Sequence, residues 1–257
     1  MPLESLTDAE FAQYQREGYV LKRGLFDEDT VSRVRERLRE YTHGDRPVEG
    51  FKQQVEPEAA DGSVDESDAV RKYEGLGLLD DAVVHDLATD DRIVTPARDL
   101  LGPDVKLLRS AAMFKPPHVG SEKGLHQDSA YYPVRPYDQV TTWIALDDAT
   151  PANGCMEVLP GGHTDGLLEH ETQDYETDIV IPEDLGEMEQ LPMEAGDVLF
   201  QHSLLPHRTA ANTTDHWRRA MIFMYMDARS RFTVPEDERP AWVDSVDVAG
   251  DSYPGSV

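Results

Sequence analysis

The chain has 257 residues, 39% of them apolar, and 51 acidic against 24 basic side chains give a formal net charge of −27. The length fits one large domain or two small ones, and acids spread along the whole chain make a surface that repels nucleic acid and anionic membranes, which excludes both as partners. Cys155 is the only cysteine, so no intrachain disulfide forms.

The opening MPLESLTDAE lacks the basic region and apolar run of a signal peptide. No apolar run approaches the ~20 residues that span a bilayer. A cytoplasmic, soluble protein is therefore expected. Ser5 or Thr7 can cap a first helix, with Phe11 and Tyr14 on one side. The helix breaks at Gly18, and Tyr19-Val20-Leu21-Lys22-Arg23 reads as a short strand. Asp27 or Asp29 caps a second helix, rich in Arg and Glu, that reaches about Tyr41. Residues 43–68 are polar, with Gly, Pro and many acids, and read as a mobile loop. A further helical stretch covers roughly 78–101 and ends near Gly102-Pro103.

From Val105 the texture changes. Short apolar runs at 105–115, 139–147, 155–159, 179–182, 198–202 and 218–226 alternate with turn residues. That spacing indicates an all-β sandwich or barrel. Residues 234–257 show no clear period and read as a tail or flap. The expected organisation is a single domain over 1–257, with a mostly helical layer at 1–104, a β core at 105–233 and the tail at 234–257.

His126-Gln127-Asp128 carries the first chemical signal. On an extended strand, side chains two apart share a face, so His126 and Asp128 can reach one ion. His207, after Leu204-Leu205-Pro206, is the best candidate for a third ligand. Two histidines and one carboxylate on one face of an ion form the facial triad of non-haem Fe(II) oxygenases. The same set can hold catalytic zinc, although no His-Glu-X-X-His helix is present. Arg218 opens an apolar strand, and alternation puts it on one face with Ala220, Ile222 and Met224. A buried guanidinium needs an anionic partner. That partner is an internal acid or the distal carboxylate of 2-oxoglutarate, with the Thr209 hydroxyl able to share the latter.

These residues resemble the phytanoyl-CoA dioxygenase (PhyH) family of Fe(II)/2-oxoglutarate oxygenases. The similar stretches are MFKPP at 113–117, LHQDSAYYPVRP at 125–136, WIALDDATPANGCMEVLPGGH at 143–163, GDVLFQH at 196–202 and HRTAANTTDHWRRA at 207–220. EFAQYQREGYVLKRGLF at 10–26 is similar to the family's opening helix and strand. The resemblance implies a mainly β fold, a double-stranded β-helix (jelly-roll, cupin-like) core with flanking N-terminal helices. It implies Fe(II) held by His126, Asp128 and His207, with 2-oxoglutarate and O2 as cosubstrates. It places the oxoglutarate-gripping arginine at Arg218, its hydroxyl neighbour at Thr209 and the aromatic wall at Trp143. Gln127 also matches a family motif, and a family lysine that contacts oxoglutarate falls near Lys72. Asn212 matches a motif and reads equally well as a turn residue.

The implied activity is hydroxylation of a small organic substrate, with succinate and CO2 as co-products, by a monomer or homodimer. Tyr131, Tyr132, Arg135 and Tyr137 follow the metal motif and are candidates for the pocket wall. The rival readings are a zinc or other metal-dependent enzyme on the same sandwich and a non-catalytic binding protein of this fold.

The high acidity suits a folded halophilic protein, in which salt screens self-repulsion. The ordinary strand patterns from 105 to 226 argue against disorder as its cause. The melting temperature is expected to fall when the protein is moved from molar to low salt. A calorimetric melt that holds or rises on desalting refutes this reading.

Overall fold

The computed structural model describes residues 2–44, 46–60, 62–173, 176–181, 185–239 and 245–253. Thr7 caps α1 (Asp8–Glu17) through a capping box, its hydroxyl accepting the Glu10 N–H while the Glu10 carboxylate accepts the Thr7 N–H. Gly18, at φ 83°, ends that helix in the left-handed conformation. The chain turns directly into β1 (Tyr19–Lys22). Asp27 caps α2 (Glu28–His43), which buries Val31, Val34 and Leu38 on one face.

The polar stretch expected as a loop is partly ordered into β2 (Lys52–Val55) and α3 (Pro57–Ala60). Its Lys-Gln-Gln-Val sequence has no apolar alternation, so only pairing with β3 (Val70–Glu74) reveals the strand. The single helix expected over 78–101 is two, α4 (Ala82–Ala88) and α5 (Asp91–Leu101). Asp90 interrupts it by accepting the Arg92 N–H and starting a new helix.

The β region holds β4 (Val105–Lys115), β5 (Lys123–His126), β6 (Val134–Arg135), β7 (Val140–Ala145), β8 (Met156–Val158), β9 (His170–Gln173), β10 (Glu176–Ile179), β11 (Glu189–Leu191), β12 (Val198–His202), β13 (His207–Thr209), β14 (Arg218–Asp227), β15 (Arg231–Phe232) and β16 (Val246–Ala249). The expected run at 179–182 begins in β10, and its last residue lies outside the described residues. The tail segment supplies β16, which pairs with β4.

A large antiparallel sheet runs β1-β12-β7-β14-β4-β3-β2, with β16 also on β4. A four-stranded sheet, β11-β8-β13-β5, completes a jelly roll. The N-terminal segment thus supplies three strands of the large sheet as well as helices. Along β14 the side chains alternate between two cores. Met221, Phe223 and Tyr225 share the outer core with Val34, Leu38, Leu87, Ile93 and Ala97 of the helices. Ala220 and Ile222 share the inner core with Trp143, Met156, Val158 and Leu191. Burial on both faces explains why β14 reads as a continuous apolar run. No helix among the described residues is long and apolar enough to cross a membrane.

The Tyr225 hydroxyl donates to the Ala88 carbonyl at 2.7 Å and ties the helical layer to β14. Tyr225→Phe leaves that carbonyl short of a buried donor and is expected to cost about 1–2 kcal/mol. Urea unfolding checks this, and an unchanged midpoint would show the bond to be dispensable.

Candidate active site

The site lies in the four-stranded sheet, where β5 ends and β13 begins. His126 and His207 are direct partners in the β5–β13 register, and their ring centroids are 4.2 Å apart. The strand proper ends at His126, but Gln127 remains extended at φ −116°, ψ 133°. The period of two therefore survives one residue beyond the ladder and returns Asp128 to the side of His126. One Asp128 oxygen, Oδ1, lies 3.9 Å from Nε2 of each histidine. That is too long for a hydrogen bond and suits three donors sharing one ion. All three ligand atoms lie within 4.8 Å of one another, and all three residues are buried.

The surroundings fix these donors for metal binding. His126 Nδ1 lies 2.8 Å from the Gly124 carbonyl, and His207 Nδ1 lies 2.8 Å from the Leu205 carbonyl. A carbonyl only accepts, so each Nδ1 carries the proton and each Nε2 bears the lone pair that can meet an ion, that of His207 receiving the Gln201 amide at 3.2 Å. Burial, then the neighbouring His207, holds His126 well below the usual imidazole range and keeps it neutral. Asp128 is oriented through its other oxygen, which accepts from the Thr141 hydroxyl at 2.7 Å and the Gln201 amide at 3.4 Å. Gln201 lies in the GDVLFQH stretch, but the sequence assigns it no role. Its place follows only from its pairing with Thr141 between β12 and β7.

Arg218 lies where alternation predicts, facing inward with Ala220 and Ile222. It is 3% exposed, its Nε has no hydrogen-bond partner, and burial lowers its guanidinium to about 10. The competing expectation of an internal salt bridge is not met by its neighbour Asp147. Arg219 takes that carboxylate with two side-chain bonds of 2.7 and 2.8 Å. Trp143 packs in the inner core, and the Arg218 guanidinium lies 5.4 Å from its ring centre. Thr209 is two residues beyond His207 on β13, and both are buried while Arg208 between them is exposed.

Of two expected cofactor contacts, Gln127 is turned away from the cluster and Lys72 is engaged by a protein carboxylate. Gln127 is fully buried, but its amide donates to the carbonyls of Gly166 and Leu204 and accepts the Leu168 N–H. It clamps loops together on the face away from the metal ligands, as alternation requires of the residue between them. Lys72 is ion-paired with Glu74 at 2.7 Å. Glu74 also takes Arg109 through two contacts of 2.9 and 2.8 Å. Burial alone would raise the Glu74 carboxyl, but Arg109 and Lys72 outweigh it and hold it at about 2. Arg109, outside the family-like stretches, interacts electrostatically with Tyr132, Glu74 and Asp128.

Among the other expected pocket residues, Tyr131 meets the His126 ring edge-on at 5.8 Å. Arg135 is exposed and stacked 3.3 Å over Tyr137, on the surface rather than in the pocket. Asn212 is structural, donating to the carbonyls of Lys115, Pro116 and His216.

A jelly roll with a His-Asp-His cluster at one end of its small sheet, and a buried arginine with no anionic partner among the described residues, defines an Fe(II)- and 2-oxoglutarate-dependent dioxygenase. The chain belongs to the phytanoyl-CoA dioxygenase family, whose model, "Phytanoyl-CoA dioxygenase (PhyH)", matches residues 14–220. Phytanoyl-CoA dioxygenase domain-containing protein 1 of Danio rerio is 23% identical over 286 residues, covering 91% of this chain and 95% of that protein. Among solved structures, the epimerase SnoN in complex with Fe3+, alpha ketoglutarate and nogalamycin RO superimposes with a TM-score of 0.70 at 23% identity, covering 95% of this chain and 96% of that one. EctD from S. alaskensis with 2-oxoglutarate and 5-hydroxyectoine gives a TM-score of 0.74 at 20% identity, covering 98% and 86%. These two likenesses establish the fold.

Arg218→Ala is expected to raise the 2-oxoglutarate Kd about 10–100-fold, the worth of a charge-assisted contact of roughly 1.5–3 kcal/mol. Fe(II) affinity should stay within about threefold, because the arginine is not a ligand. Anaerobic titration of the Fe(II)–oxoglutarate charge-transfer band reads the first and equilibrium dialysis the second. Equal losses in both would make Arg218 structural.

Proposed function

We propose that this protein hydroxylates a small polar organic molecule. In this reading His126, Asp128 and His207 hold Fe(II), and Arg218 with Thr209 holds the distal carboxylate of 2-oxoglutarate. The observation that carries it is the buried Arg218, whose Nε lacks a protein partner beside a ready metal site. A zinc hydrolase or a binding relic of the fold has no use for that cation. The chemistry supplied at such a centre is oxidative decarboxylation of 2-oxoglutarate to succinate and CO2, coupled to oxidation of a substrate C–H bond.

The chain's own side chains orient and shield. The Gly124 and Leu205 carbonyls fix the imidazole tautomers, Thr141 fixes the carboxylate, and the inner apolar cluster around Trp143 and Ile222 excludes water from the cosubstrate end. None of them is asked to move a proton. The half-buried Lys72-Glu74-Arg109 cluster supports a substrate with polar or charged groups over a purely hydrocarbon chain.

The test is a substrate panel scored by succinate release under 18O2. The expected outcome is substrate-dependent succinate and a product heavier by one labelled oxygen, both lost in Asp128→Ala. A product of unchanged mass would point to epimerisation instead. Succinate release that survives both His126→Ala and Asp128→Ala would overturn the metal assignment.

A further inference from the structure

Lys115, in the Met-Phe-Lys-Pro-Pro motif, ends β4 directly across from Arg218 in the β4–β14 register. It is 5% exposed, and Arg218 is 3% exposed. Two like charges side by side in a dry interior repel each other, and each is costly unless an anion joins them. Among the described residues neither has such a partner. The Arg218 Nε is unbonded, and the Lys115 ammonium donates to a neutral group, the Ser121 carbonyl.

The charged groups facing this pair are accounted for from each side. Arg219 holds Asp147. Glu56, buried, accepts the Ser121 N–H at 3.1 Å through one oxygen and attracts the lysine, but forms no ion pair with it among the described residues. Arg71 on β3 adds a repelling charge, Glu122 in the loop before β5 a weak attracting one, and Cys155 faces Arg218.

The lysine's path is imposed by its neighbours. A Cβ on Gly154 would come within 2.9 Å of Lys115 Cδ and Cε, and one on Gly120 within 2.7 Å of Lys115 Cα and Cβ. Asn212 donates to the Lys115 carbonyl at 2.9 Å. A long cationic side chain is thus threaded between two glycine-bearing turns and brought beside the arginine.

We propose that Lys115 is a second cationic anchor for the distal carboxylate of 2-oxoglutarate, acting with Arg218, and that cosubstrate binding draws one proton from solvent onto the lysine. The proposal rests on the assignment of that carboxylate to Arg218. Burial first, then Arg218, pushes the free lysine down to about 7, so it is largely neutral in slightly alkaline solution. An arriving carboxylate favours the ammonium form and raises that value. Affinity should then be flat below about pH 7, where the lysine is already charged, and fall by up to about tenfold per pH unit above it. Carboxylates such as those of 2-oxoglutarate are fully ionised throughout this window.

The experiment is isothermal titration of 2-oxoglutarate into the Ni(II)-loaded protein at pH 8, in two buffers of different ionisation enthalpy. Wild type should take up roughly 0.5–1 proton. Lys115→Met should take up none and bind at least about tenfold more weakly. Lys115→Arg, permanently charged and a control for a Met variant that folds poorly, should take up none yet bind within about threefold of wild type. Proton uptake that persists in the variants, its absence in wild type, or unchanged affinity in Lys115→Met overturns the proposal. Binding that depends on Arg218 but not on Lys115 sinks this proposal alone. No binding of 2-oxoglutarate to wild type sinks the functional reading with it.

Discussion

The register of one short strand pair governs the site. His126 and His207 meet as partners where β5 and β13 run antiparallel. Side-chain direction on a strand has period two, so a slip of one residue in either strand would turn one imidazole to the opposite face. The apolar inner cluster guards against that slip, because it would also expose Leu125 or misplace Leu205, both buried. The same packing that holds the jelly roll together therefore holds the two nitrogens beside the Asp128 carboxylate.

The large sheet extends this logic. Its central strands β12, β7, β14 and β4 are buried on both sides, under helices outside and against the small sheet inside. The outer face carries Phe200, Phe223 and Tyr225, which make the bulk of the core. The inner face carries Arg109, Thr141, Gln201 and Arg218, each close to the functional centre. Stability and chemistry thus occupy alternate residues of the same strands, and substitutions on the two faces should have separable effects.

Features that depend on local period were legible in the sequence. His126 and Asp128 are two apart, Arg218 shares a face with Ala220 and Ile222, and Thr7, Asp27 and Gly18 mark helix ends by their own chemistry. Features that depend on pairing between distant segments were not. Lys115 gains its meaning only across from Arg218, Gln201 only beside Thr141, and Arg109 only against Glu74. Strand β2 has a polar sequence and exists because β3 offers it an edge. Gln127 misleads by adjacency, since the residue between two ligands on extended backbone must point away from them.

The edge of β4 has a consequence for how the chain is made. Near its end at Ala111–Met113 that edge is covered by β3, but at Val105–Leu107 it is covered by β16, drawn from residues 246–249. During synthesis from the N-terminus, β4 emerges long before β16, so its open stretch of backbone donors and acceptors must wait for residues 246–249. The strands β1 and β12 impose a similar delay, because Tyr19 pairs with Gln201. Pairings between segments so far apart in the chain make for slow folding. In that interval, the like charge carried by so acidic a chain disfavours the approach of one unfinished edge to another.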